Sequence, residues 1–186
     1  SVARSPGNVM VCMPNYREAA WAGDYLVDAT EKDVLVDSSS SDGETERLKR
    51  AFFGGPAKVL VTSTRGTLTE GVDYDGDKLR CCAVVGVPLV NVASARVRAV
   101  RRAYADAFGE ANAFEYALAV PAVRRSRQAI GRVIRGREER GVRVLVGARY
   151  TADAPRSVAS YLGPEAGEFV RMSPDFLGHQ FDEFWG

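Results

Sequence analysis

The chain has 186 residues and a formal net charge of +1, with 25 Lys and Arg against 24 Asp and Glu. That length suits one domain or one domain with a short appendage. Hydrophobic residues make up 46%, which excludes a disordered composition, and the overall balance excludes a histone-like polycation or an acidic tail protein. No apolar run approaches the roughly 20 residues of a membrane span. No signal-peptide pattern precedes the first predicted strand, and an intracellular location is expected.

Five segments read as strands: residues 9–13, 34–36, 58–62, 81–87 and 142–146. Most are continuous apolar runs without strict alternation, the pattern of strands buried on both faces of a parallel sheet. Cys12, Cys81 and Cys82 lie in these runs and read as reduced, buried thiols, not ligands or a disulfide framework. Helical patterns alternate with the strands. Asn15 is placed to cap a helix to about Ala29, with Glu18 three residues on. Further helices are expected from Asp42 or Glu44 to Phe53, from Ser94 to Phe108, near 114–119 and from Arg124 to about Arg137. A weak helix is expected at 158–162, and an apolar C-terminal segment at 175–185 should dock on the body or on a neighbouring domain. Such alternation implies right-handed crossovers and an open α/β sheet between two helical layers. Ser38 to Gly43 is the most linker-like stretch, short enough to be a loop.

Charge is unevenly spread. Residues 1–95 hold 10 basic and 13 acidic side chains, net −3; residues 96–149 hold 13 Arg and 5 acids, net +8; residues 150–186 are net −4. A basic block between two acidic ones fits a phosphate-binding surface, although solvated helix faces would produce the same excess. The loop after the third strand carries several hydroxyls, Arg65, Gly66, Gly71, Glu70 and Asp73. It leaves the carboxyl end of a buried strand, the usual ligand edge of such sheets. The loop could bind phosphate or serve as a polar surface turn. Gln128, Arg132 and Arg135 stand at i, i+4 and i+7, one face of a continuous helix, with Ile130, Val133 and Ile134 opposite, packed on the sheet. Two guanidiniums on one face suit a polyphosphate; a solvated Arg stripe paired with Glu138 and Glu139 explains the charge but not Gly131 and Gly136. Tyr16 and Trp21 could stack on bases, though aromatics at a helix start are more often core. His179 has no catalytic or metal partner nearby, and Asp73, Asp75 and Asp77 lack the spacing of a calcium loop. No metal site is expected.

These stretches resemble the second motor domain of superfamily two DNA helicases of the XPD/DinG type. Arg65-Gly66-Thr67-Leu68-Thr69-Glu70-Gly71-Val72-Asp73-Tyr74 is similar to that family's motif V. Val85-Gly86-Val87-Pro88-Leu89 is similar to the strand and turn after it. Gln128 to Gly136 resembles motif VI, and Gly7 to Tyr16 resembles motif IV. Asn15 stands where the family often has Ser, and Thr67 where it often has Lys. The match runs from about Gly7 to Tyr150 in order and spacing. The resemblance implies a RecA-like three-layer α/β/α domain over residues 1–160 and a tail over 161–186 packed on it. It implies that the chain is the C-terminal part of an ATP-dependent DNA helicase. ATP and Mg²⁺ would be shared with a first RecA-like domain that holds the Walker motifs, because this chain has no G-x-x-x-x-G-K-[ST]. Arg132 and Arg135 would be arginine fingers. Gln128, Glu70, Gly71 and Asp73 would serve the nucleotide. Tyr16, Ser63, Arg65 and Thr67 would touch single-stranded DNA. The family's iron–sulfur cluster belongs to the first domain, so none is expected here. A stand-alone nucleic-acid or partner-binding module with the same fold is the competing expectation.

Overall fold

The computed structural model describes residues 2–38, 41–69, 72, 74, 78–134, 136 and 138–186. Five strands form one sheet in the order β2-β3-β1-β4-β5: β1 Val9–Met13, β2 Asp33–Val36, β3 Lys58–Ser63, β4 Cys81–Val85 and β5 Val142–Val146. Every pairing is parallel. The apolar runs are explained by what covers them. All five residues of β1 are buried, because successive side chains point to opposite faces and both faces carry helices.

One face packs Val9, Val11, Met13, Val59 and Val61 against Ala19 and Ala22 of α1 (Tyr16–Ala29) and Phe181 of α6 (Pro174–Trp185). The other packs Met10, Cys12, Leu60, Cys82 and Val84 against Leu48 and Phe52 of α2 (Asp42–Phe53) and Ala129 and Ile130 of α5 (Val120–Ile130). The result is the expected three-layer RecA-like arrangement. Leu177 and Trp185 flank Phe181 against the sheet, so the aromatic C-terminal segment covers the body of this chain. Cys12, Cys81 and Cys82 are buried free thiols, and Cys12 Sγ lies 4.0 Å from Cys82 Sγ.

Asn15 caps α1, its Oδ1 accepting from the Glu18 N–H at 3.0 Å. β4 stops two residues earlier than its apolar run. Gly86 takes φ +68°, a left-handed turn open to glycine, and its N–H donates to the Val146 carbonyl at 2.7 Å. Trp21 departs from the core expectation: it is exposed and stacks on Tyr25 at 6.4 Å between ring centroids.

The largest difference concerns α5. Its helix begins well before Arg124. α3 (Ala95–Phe108) breaks at Gly109, and α4 (Glu110–Phe114) continues through a π-helical turn at Glu115–Ala119 into α5. α5 then ends at Ile130, with Gly131 at its C-cap. Gln128 and Arg132 therefore do not share one helical face. Val133 is buried as expected, but Ile134 is exposed. A glycine at 131 makes sense at such a close turn: a Cβ there would lie 2.9 Å from the Arg127 carbonyl oxygen.

Candidate nucleotide and nucleic-acid interface

The sheet brings the two motif-bearing segments together. Parallel pairing sets Met13 opposite Ser63, and the Thr64 N–H extends the ladder by donating to the Met13 carbonyl at 2.9 Å. The start of α1 and the loop after β3 thus emerge side by side at the carboxyl edge of the sheet. Asp37, just after β2, joins them. Its N–H donates to the Val61 carbonyl, and its buried carboxylate accepts from Thr62 Oγ1 at 2.7 Å.

Gly66 passes directly beneath this cluster. A Cβ there would lie 2.8 Å from Thr62 Oγ1, 3.0 Å from Asp37 Oδ2 and 3.0 Å from the Tyr16 hydroxyl. Three polar groups from three elements therefore converge on a position where any side chain would displace them. Asp37 was absent from the sequence-derived site. The available signal was a carboxylate at the carboxyl end of the apolar run Val34-Leu35-Val36.

The loop is turned by its own hydroxyls. The Gly66 N–H donates to the Ser63 carbonyl at 2.8 Å, and the Thr69 N–H to the Gly66 carbonyl at 3.0 Å. Thr69 Oγ1 donates to the Gly66 carbonyl at 2.6 Å. Ser63 Oγ accepts from the Arg65 N–H at 3.3 Å. Thr62, Ser63, Thr64 and Thr69 are buried, so most of the hydroxyls expected to meet phosphate are directed inward. Arg65 and Thr67 face outward. Arg65 also donates to the Leu89 carbonyl, in the segment after β4.

Arg132 closes the site from the other side. Past the end of α5, its Nε donates to the Thr69 carbonyl at 2.7 Å and its Nη1 to the Val72 carbonyl. Its guanidinium carbon stands 5.7 Å from the centre of the Tyr74 ring, within cation–π range. Tyr74 is itself anchored, its hydroxyl donating to the Leu68 carbonyl at 2.8 Å. Burial pushes the Tyr74 phenol well above its ordinary pKa. One guanidinium therefore joins the residue 131–134 turn to the loop of β3. Gln128 is exposed on α5. Glu70, Gly71, Asp73 and Arg135 lie outside the described residues, as do Asp75 and Asp77. Among the described residues, no three His, Cys, Asp or Glu side chains form a metal site, and no helix is long and apolar enough to cross a membrane.

An open parallel sheet with a polar loop and an arginine turn at its carboxyl edge has the layout in which such α/β folds place their ligand sites. The chain belongs to the helicase C-terminal domain family, whose sequence pattern matches residues 1–164. It is 32% identical over 125 residues to the general transcription and DNA repair factor IIH helicase subunit XPD of Dictyostelium discoideum, covering 65% of this chain and 16% of that protein. It is 25% identical over 161 residues to the XPD/RAD3 subunit of Saccharomyces cerevisiae, covering 79% and 20% respectively. The ATP-dependent DNA helicase CHL1 of Meyerozyma guilliermondii is 26% identical over 175 residues, 84% of this chain and 21% of that protein. Among solved structures, an XPD helicase superposes with a TM-score of 0.62 at 18% identity, over 90% of this chain and 29% of that one. The chain thus spans about one fifth of the curated relatives' length.

Proposed function

We propose that this chain is the second motor lobe of an intracellular ATP-dependent DNA helicase of the XPD/DinG type. Residues 1–160 would form the lobe and residues 161–186 a tail upon it. The observation that supports this reading best is the pair of hydrogen bonds from Arg132 to the Thr69 and Val72 carbonyls, which tie the motif VI segment to the motif V loop.

The donor set suits half of a nucleotide site. Arg132 brings a planar, permanently charged fork that matches phosphate oxygens, and Arg135 supplies a second guanidinium. The sequence holds no phosphate-cradling lysine loop, so a first RecA-like domain must provide it, together with the carboxylates that hold Mg²⁺. Bound there, ATP would supply the phosphoryl group and Mg²⁺ would offset the charge on its oxygens. The role of Arg132 and Arg135 is to stabilise that charge as arginine fingers. Gln128 senses the nucleotide, and Glu70, Gly71 and Asp73 carry the change toward the strand. Tyr16, Ser63, Arg65 and Thr67 contribute to the single-stranded DNA track, with Ser63 acting through the turn it holds. When Arg132 turns to a phosphate it releases the carbonyls of Thr69 and Val72. The loop that presents Arg65 and Thr67 is then free to shift, which couples nucleotide state to DNA grip.

The test is kinetic. In the full-length polypeptide, Arg132→Ala and Arg135→Ala each lower DNA-stimulated ATP turnover by about 10³-fold or more with a much smaller change in ATP affinity. Unchanged kcat in both variants overturns the finger assignment. Measurable DNA-stimulated ATPase from these 186 residues alone overturns the half-site reading.

A further inference from the structure

The two motif segments do not account for the arginines of α3. That helix carries Arg96, Arg98, Arg101 and Arg102 against one acid, Asp106. None of its residues is buried, so it adds little to the core, and its arginines stand where they weaken it. The first turn holds no acid, while Arg96 and Arg98 lie in that turn against the positive end of the helix dipole. Arg98, Arg101 and Arg102 share one face at i, i+3 and i+4, a like-charge spacing that destabilises a helix. Carboxylates do not neutralise this face. Glu110 reaches Arg101 at 3.4 Å, with both side chains exposed. Among the described residues, Arg98 and Arg102 make no ion pair. An anionic partner would offset every one of these costs.

The same helix ends in aromatic rings. Tyr104 and Phe108 stand one turn apart with 6.0 Å between ring centroids. Tyr116 of the π-helical turn meets them at 5.9 and 5.2 Å. Phe108 and Tyr116 are exposed. Phe108 lies two turns beyond Arg101 on the same row, so guanidiniums and rings form one strip. Positive charge combined with aromatic faces is how sequence-tolerant single-strand sites are built. The strip also starts at the loop of β3. Arg65 donates to the Leu89 carbonyl, and the chain then closes a turn: the Asn91 carbonyl accepts from the Ser94 N–H at 3.0 Å and Asn91 Oδ1 from the Ala93 N–H at 2.9 Å. Arg98 Nη1 returns to the Ala93 carbonyl, which fixes the start of α3 to that turn. From there α3 runs for 14 residues, about 20 Å.

We propose that α3 extends the single-stranded DNA track beyond Arg65. Arg98, Arg101 and Arg102 donate to successive backbone phosphates, and a base stacks on the exposed face of Phe108. None of these residues belongs to a motif segment. The inference rests on the reading of the β3 loop as part of the DNA track.

The test is binding of a fluorescein-labelled oligothymidylate to the full-length polypeptide across a KCl series, with a blunt duplex of equal length measured alongside. The double variant Arg98→Gln, Arg102→Gln is expected to weaken single-strand binding about 10-fold near 0.1 M salt and to reduce the salt slope by about 1.4, two phosphate contacts at about 0.7 each. Lysine at both positions keeps the slope. Phe108→Ala weakens binding about 5-fold, the low end of one base stack, and leaves the slope unchanged. Thermal unfolding of each variant separates misfolding from lost contact. If Arg65→Ala weakens binding while the folded α3 variants bind as the parent does, this inference fails and the track stands. If none of these variants affects DNA, both readings fail. If the α3 variants weaken binding and Arg65→Ala does not, the strand on α3 is not continuous with the loop and the inference is overturned. Loss of duplex binding alone in the α3 variants overturns it as well.

Discussion

Arg132→Ala has a consequence for stability that is separate from catalysis. The side chain donates twice to loop carbonyls, at Thr69 and Val72, and covers the Tyr74 ring at 5.7 Å. Hydrogen bonds from a charged donor contribute about 1.5–3 kcal/mol each, and a partly exposed cation–π contact about 0.5–1 kcal/mol. Arg132 is half-buried, so solvent replaces part of this after truncation, and a net loss of about 2–4 kcal/mol is expected. For a domain of this size that is a fall in Tm of about 4–16 °C. Arg124→Ala, at an exposed arginine of α5, serves as control and should stay within about 0.5 kcal/mol. Urea unfolding followed by circular dichroism measures both. If Arg132→Ala unfolds within 0.5 kcal/mol (about the control's range) of the parent chain, the carbonyl contacts do not hold the loop, and the coupling between the two motifs loses its physical basis.

Two further outcomes are expected. Gly66→Ala should weaken oligothymidylate binding and destabilise the chain by about 1–3 kcal/mol, because its Cβ would meet Thr62, Asp37 and Tyr16 oxygens at 2.8 to 3.0 Å; wild-type affinity and Tm in this variant would show that the convergence is not tight. Stability should also fall in alkali. Burial, followed by the neighbouring Cys82, pushes the Cys81 thiol up to about 12, whereas an unfolded thiol titrates near about 8.5. Below the unfolded value both states keep the proton and the contribution is complete. Above it only the unfolded state ionises, so stability drops by about 1.4 kcal/mol per pH unit for this thiol and is fully lost as pH passes the folded value. Cys81→Ala should flatten that decline, and an unchanged alkaline slope would refute the assignment.

Residues 9–13 and 58–62 were readable as buried strands because a run without alternation has only one common cause, helices on both faces. The ends of elements were less readable. Hydrophobic periodicity continues from Ala129 to Val133, so a single long helix satisfied the pattern. The chain instead leaves the helix at Gly131, since Arg132 gains two carbonyl acceptors by turning back. The hydroxyl-rich loop also carried two readings. Which side chains faced solvent depended on the turn its own hydrogen bonds make, and those bonds point most of the hydroxyls inward.

By itself the sequence determined the layers of the sheet, the cap at Asn15 and the order of the motif segments. All of these are local patterns of burial and capping, written in residues a few positions apart. Tertiary structure decided the membership of the site. Asp37 reaches Thr62 because β2 pairs with β3, and Tyr16 reaches Gly66 because β1 pairs with β3. Such pairings join segments tens of residues apart through the strand order, and no local periodicity encodes which strand lies next to which.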